Sequence, residues 1–158
     1  MELAAELGSD IGFFFADTPM ALCRGRGEKV ESVATHCSFP FVIVRPRTGL
    51  STAEVYQRCR PSREARSSDL IMNAVQRSST ACVARSMHNS LQIPAMEVNE
   101  EVLELRARFD RLSIPGHQMS GSGTAYFGIC RSMRQAHRIA ARLRGEGHRH
   151  VFVARSRA

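Results

Sequence analysis

A chain of 158 residues, 43% hydrophobic and 23% charged, has the composition of a globular protein with one core and part of a second, which excludes wholesale disorder. No apolar run approaches the roughly 20 residues needed to span a bilayer, so a membrane role has no support. The net charge of +7 comes from 22 basic residues of which Lys29 alone is lysine; with no Trp and only Tyr56 and Tyr126 as tyrosines, the pattern reads as a solvated basic surface with some pull on anionic metabolites, not as a nucleic-acid interface.

In chain order, residues 2–7 read as the last turns of a helix stopped by Gly8. Residues 12–16 contain Phe13, Phe14 and Phe15 in succession and are expected to form a strand or loop buried on both faces. Residues 20–24 and 29–33 flank Gly25-Arg26-Gly27-Glu28, whose glycines suit a hairpin turn, and 34–40 connect to a second unit. Residues 41–45 form a strand closed by Pro46, and Ser51 caps a short helix through Cys59. A polar loop over 61–68 precedes two helices, 69–77 and 80–89, with Ser67 or Ser68 and Ser79 as caps.

The clearest helix runs from about Asn99 to Leu112. Val98, Val102, Leu105, Phe109 and Leu112 line one of its faces, Asn99 caps it, and Glu100 and Glu101 suit the positive end of its dipole. Strands at 117–120 and 124–131 surround Gly121-Ser122-Gly123, an amphipathic helix over 133–144 is stopped by Gly145, and 150–155 is a final strand. Strand, helices, strand, strand, helix, strand is the βαββαβ order of a ferredoxin-like sandwich, an α+β fold, here with extra helices in the first crossover.

The five cysteines, Cys23, Cys37, Cys59, Cys82 and Cys130, include no Cys-x-x-Cys pair and follow no secretory leader. A reduced, cytoplasmic protein fits them. His148 and His150 are two apart but lack a third ligand, so no metal site is expected.

Two stretches combine residue types that have a chemical use. In Leu7-Gly8-Ser9-Asp10-Ile11-Gly12-Phe13-Phe14-Phe15 a carboxylate follows a glycine at a helix end and precedes an aromatic wall. In Met119-Ser120-Gly121-Ser122-Gly123-Thr124-Ala125-Tyr126-Phe127-Gly128 small residues let the backbone approach a ligand, and successive N–H groups can form an anion-binding concavity. Singly, a Gly-Ser-Gly turn is usually a hairpin and an Asp after a helix is usually a cap or ion-pair partner.

Together with residues 21–28, 49–56 and 89–95, in this order, they resemble the GHMP kinases. Within that family they are similar to the branch whose substrate is a cytidine diphosphate-linked methylerythritol of non-mevalonate isoprenoid biosynthesis. The resemblance implies an ATP-dependent phosphotransferase. Asp10 would be its catalytic carboxylate, and Ser120, Gly121, Ser122, Gly123 and Thr124 its substrate- and phosphate-binding loop, with Gly121 and Gly123 as points of close approach. It further implies that residues 1–37 are a remnant of the family's N-terminal domain and 38–158 its C-terminal domain.

Three departures accompany it. The family's phosphate loop, a Pro-x-x-x-Gly-Leu-x-Ser-Ser type of segment, and its N-terminal lysine-bearing strand are not in these 158 residues, and Gly12 stands where proline is usual. ATP and Mg2+ are therefore expected in the complete enzyme and not as tight ligands of this truncated chain. A missing N-terminal half, or a second copy meeting through Phe13, Phe14 and Phe15, is the expected partner besides the small-molecule substrate. The alternative is a non-catalytic, ferredoxin-like metabolite-binding or regulatory module.

Overall fold

The computed structural model describes residues 11–60 and 67–157, and the chain divides into two compact units, Met1–Ser38 with Ser156–Ala158, and Phe39–Arg155. The sequence-predicted helix end at 2–7 and most of the polar loop at 61–68 lie outside the described residues. In the first unit, α1 (Ile11–Phe15) precedes β1 (Ala21–Arg24) and β2 (Lys29–Ser32). These strands pair antiparallel, Ala21 opposite Ser32 and Arg24 opposite Lys29. The hairpin turn works because Gly25 (φ 71°) and Gly27 (φ 117°) take backbone angles that a side chain disfavours. At Gly25 a Cβ would also collide with the Glu28 carboxylate, whose Oε2 accepts the Arg26 N–H at 2.6 Å.

The expectation for residues 12–16 is corrected. The run is helical, and Phe14 and Phe15 are 78% and 74% exposed. Consecutive apolar residues do not distinguish a strand buried on two faces from a helical turn. A 100° step per residue turns only part of the run inward, so that a Cβ on Gly12 would point at Val30, 3.3 Å from its Cγ2, while Phe13 and Phe14 pack edge to face.

The second unit holds β3 (Pro40–Val44), α2 (Thr52–Arg58), α3 (Asp69–Gln76), α4 (Thr80–Ser86), α5 (Gln92–Val98), α6 (Glu100–Asp110), β4 (Gly116–Met119), β5 (Tyr126–Ile129), α7 (Met133–Gly145) and β6 (Val151–Arg155). The sheet order is β4-β5-β3-β6 with every neighbouring pair antiparallel. That is the ferredoxin-like arrangement. In β3 the alternation buries Pro40, Val42 and Val44 on the helix-covered face. The other face carries an edge contact between Phe41 and Phe127, centroids 5.7 Å apart. Helix α7 lies on β3 and β6, and α6 on β4 and β5. Between them Leu105, Phe109, Ala136, Ala140 and Leu143 meet Val42, Val44, Met119 and Tyr126 in one core.

Helix starts follow the sequence-predicted caps. Ser51, Ser79 and Asn99 accept the N–H of Glu54, Cys82 and Val102, each three residues on. Ahead of α3 it is Ser67, not Ser68, whose Oγ accepts the Asp69 N–H at 3.1 Å. The stop of α7 falls two residues later than expected. Gly147, at φ 95°, provides the left-handed turn; its N–H reaches Arg144 O and that of His148 reaches Leu143 O, a paired termination that leaves Gly145 inside the helix. Helix α5 was not anticipated. Its Pro94 sits in the first turn, where the missing N–H has no intrahelical partner to lose.

Candidate active site

The Gly-Ser-Gly segment forms the connection between β4 and β5, in the second unit. Its ends are closed by the Ser120 N–H donating to Ala125 O at 2.8 Å, and an inner turn by the Gly123 N–H donating to Ser120 O at 3.1 Å. The Gly123–Thr124 peptide is cis. Both glycines are in the left-handed region, but for different reasons. At Gly123 (φ 108°) a Cβ would lie 2.7 Å from Leu50 Cδ2 and 3.0 Å from Met119 Sδ; at Gly121 (φ 56°) it would meet nothing within 4 Å. The close approach at Gly123 is thus to the protein's own side chains, while Gly121 borders open space.

Three side chains from the first crossover brace this loop. Asn89 Nδ2 donates to Met119 O and Gly121 O, both at 2.8 Å. Gln92 Oε1 accepts the Met119 N–H at 2.8 Å. Thr52, the first residue of α2, lies with its Oγ1 2.9 Å from Ser122 Oγ. The carbonyls of Met119, Ser120, Gly121 and Ala125 are therefore engaged within the protein. The N–H groups of Gly121, Ser122 and Thr124 have no acceptor among the described residues. Such a set of donors suits an anion.

Beneath the loop the two strands are joined by polar side chains that stay neutral. Tyr126 is fully buried, and burial pushes its phenol up to about 12. His117 Nδ1 is 2.9 Å from the Tyr126 hydroxyl and its Nε2 is 3.2 Å from Asp110 Oδ1. Burial lowers the His117 pKa, with the Asp110 carboxylate pulling the other way and Arg106 adding to the lowering. With the imidazole neutral, Nε2–H donates to Asp110 and Nδ1 accepts from the tyrosine. The charged groups beside this pair are Asp110 and Arg106, whose Nε is 3.7 Å from Asp110 Oδ2.

Of the sequence-predicted site, Ser120, Gly121, Ser122, Gly123 and Thr124 are together in this loop, and Asp10 lies outside the described residues. Asn89, Gln92, Leu50 and Thr52 were not singled out, although all four fall within the blocks 49–56 and 89–95 that carry the resemblance. Asn89 had one local signal: its Oδ1 accepts the Leu91 N–H at 2.9 Å, the turn to which Asn two residues before a helix N-cap lends itself. Among the described residues no three His, Cys, Asp or Glu converge to hold a metal ion, and no helix is long and apolar enough to cross a membrane.

Comparison with known proteins agrees with this architecture. The family model described as GHMP kinases C terminal matches residues 71–149. The 4-diphosphocytidyl-2-C-methyl-D-erythritol kinase of Pelotomaculum thermopropionicum is 34% identical over 146 residues, covering 91% of this chain and 50% of that protein. The enzyme of the same name from a Nocardioides species is 34% identical over 159 residues, covering 98% and 53%. A crystal structure of 4-(cytidine 5'-diphospho)-2C-methyl-D-erythritol kinase superposes with a TM-score of 0.81 at 30% identity, covering 99% of this chain and 57% of that one. Homoserine kinase from Cytophaga hutchinsonii, 19% identical with a TM-score of 0.62 over 87% of this chain and 48% of its own, shares the fold. The chain spans about half the length of the curated relatives it matches. It belongs to the GHMP kinase family, whose C-terminal model matches residues 71–149 of the ferredoxin-like unit.

Proposed function

We propose that this chain is the C-terminal part of an ATP-dependent kinase that phosphorylates the hydroxyl of 4-diphosphocytidyl-2-C-methyl-D-erythritol in non-mevalonate isoprenoid biosynthesis. The observation that carries the reading is the braced loop at residues 120–124, with three N–H donors unengaged among the described residues, in a chain aligned over nine tenths of its length with kinases of that name. In the proposed reaction the substrate hydroxyl oxygen bonds to the γ-phosphorus of ATP while the bond to the β–γ bridging oxygen breaks. ADP carries off that electron pair, and the hydroxyl proton passes to the Asp10 carboxylate. Such transfer depends chiefly on positioning and charge neutralisation, so a carboxylate of ordinary basicity is sufficient. Ser120, Gly121, Ser122, Gly123 and Thr124 line the substrate and phosphates from the second unit. Mg2+ comes with the phosphates of the nucleotide, and no ligand of this chain is assigned to it.

Residues 1–158 include no phosphate loop, so turnover is expected only when one is supplied. The test is to co-express the chain with the N-terminal half of the Pelotomaculum relative and measure ATP-dependent phosphorylation of the cytidine diphosphate-linked substrate. Turnover should appear in the assembly, and Asp10→Asn should lower kcat by about a hundredfold or more with nucleotide affinity nearly unchanged. Near wild-type kcat in that variant would remove Asp10 from the mechanism. Tight metabolite binding without turnover in any assembly would favour a non-catalytic binding module.

A further inference from the structure

Asn89 engages both Nδ2 hydrogens and its Oδ1 close to the loop. Its two Nδ2 hydrogens go to Met119 O and Gly121 O, 30 and 32 residues along the chain, and its Oδ1 accepts the Leu91 N–H. The last contact fixes the amide's orientation, since a flip would set an oxygen against two carbonyls. Gln92 takes the Met119 N–H, so the last residue of β4 is held at both its N–H and its C=O by one short segment. The Gly121 carbonyl and the Ser122 N–H belong to one planar trans peptide and point in opposite directions. Drawing the carbonyl toward Asn89 therefore turns the Ser122 N–H away from it.

We propose that Asn89 is a positioning residue for the loop: by holding Gly121 O it aims the Ser122 N–H, with those of Gly121 and Thr124, at a phosphate group of the substrate or nucleotide. This rests on the reading of the loop as a phosphate site. It adds that the aim is set from outside the loop, by the turn ahead of α5, and not by the glycines alone. Without Asn89 the Gly121 carbonyl loses its partner; the Cβ direction at Gly121 is open, and the Thr52–Ser122 contact is the side-chain tether that stays on this peptide.

The test uses the 158-residue chain and inorganic phosphate. In the wild type, amide resonances of Gly121, Ser122 and Thr124 should shift saturably on titration with phosphate. Asn89→Leu, which adds no charge, should weaken that response at least tenfold and speed exchange of the Ser120 and Gly123 amides at least tenfold. Exchange of the α6 amides should stay unchanged, which separates positioning from loss of fold. If Asn89→Leu does not fold, Asn89→Asp keeps the acceptor for Leu91 but sets a charged carboxylate oxygen in place of the donor, and faster exchange at Ser120 and Gly123 is expected there too. Wild-type exchange at these two amides in a folded variant overturns the proposal. If wild-type resonances ignore phosphate while the exchange differences hold, the phosphate reading of the loop fails and the bracing role of Asn89 stands.

Discussion

Thr52 Oγ1 and Ser122 Oγ are 2.9 Å apart across 70 residues of sequence, joining the N-terminus of α2 to the tip of the glycine loop. Both groups are near solvent, so water competes for the bond. Thr52→Val should therefore cost less than about 1 kcal/mol in urea unfolding, yet it should speed hydrogen exchange at Gly123. A loss of several kcal/mol would mean that the pair holds up the core and not the loop.

The two loop glycines should respond differently to alanine. Gly121→Ala meets only the left-handed backbone penalty of roughly 1–2 kcal/mol, since its Cβ direction is open. Gly123→Ala adds the collision with Leu50 and Met119, and a total of about 2–4 kcal/mol is expected. Thermal or urea unfolding of both variants measures it. Leu50→Ala in the Gly123→Ala background should recover part of the second loss, and strictly additive effects would rule out the contact as its cause.

Stability should depend on pH in two windows. Burial lowers the pKa of His117 and of His148, whose Nε2 has no hydrogen-bond partner among the described residues. The unfolded chain therefore takes up protons first as pH falls through about 6.5, and stability declines there until the folded imidazoles also protonate. Glu146 acts in the same direction at lower pH. Hydrogen bonds from Arg142 and Arg108 hold its carboxyl below the usual range, so its contribution is present above the ordinary glutamate pKa and disappears as pH falls through the lower, folded one. Urea unfolding at steps from pH 8 to pH 3 should show both declines. A profile flat between pH 7 and pH 5.5 would contradict the histidine assignment.

Exposure separates the aromatic residues sharply. Phe14 and Phe15 are mostly exposed, whereas Phe109 is wholly buried against Tyr126 with centroids 5.1 Å apart. Replacing Phe14 and Phe15 with Ser should change stability by no more than about 0.5 kcal/mol each, and Phe109→Ala should cost about 3–5 kcal/mol. Equilibrium denaturation distinguishes them, and a large loss from Phe14→Ser in a monomer would mean that the residue is packed in solution.

What the sequence determined by itself is what short-range chemistry encodes. The four- and three-residue spacing of Val98, Val102, Leu105, Phe109 and Leu112, with Asn99 as cap, specifies α6 because periodicity and capping are properties of one helix. The glycines between β1 and β2 specify a hairpin for the same reason. Tertiary structure decided the rest. Whether residues 12–16 were strand or helix depended on how many sides of the run would be covered, which a row of phenylalanines leaves open. The sequence reading stopped α7 at Gly145, whereas the stop lies at Gly147, where the carbonyls of Leu143 and Arg144 find their partners. The brace from Asn89 and Gln92 to Met119 and Gly121 joins segments some 30 residues apart, and only the folded sheet brings those amides and carbonyls within 2.8 Å.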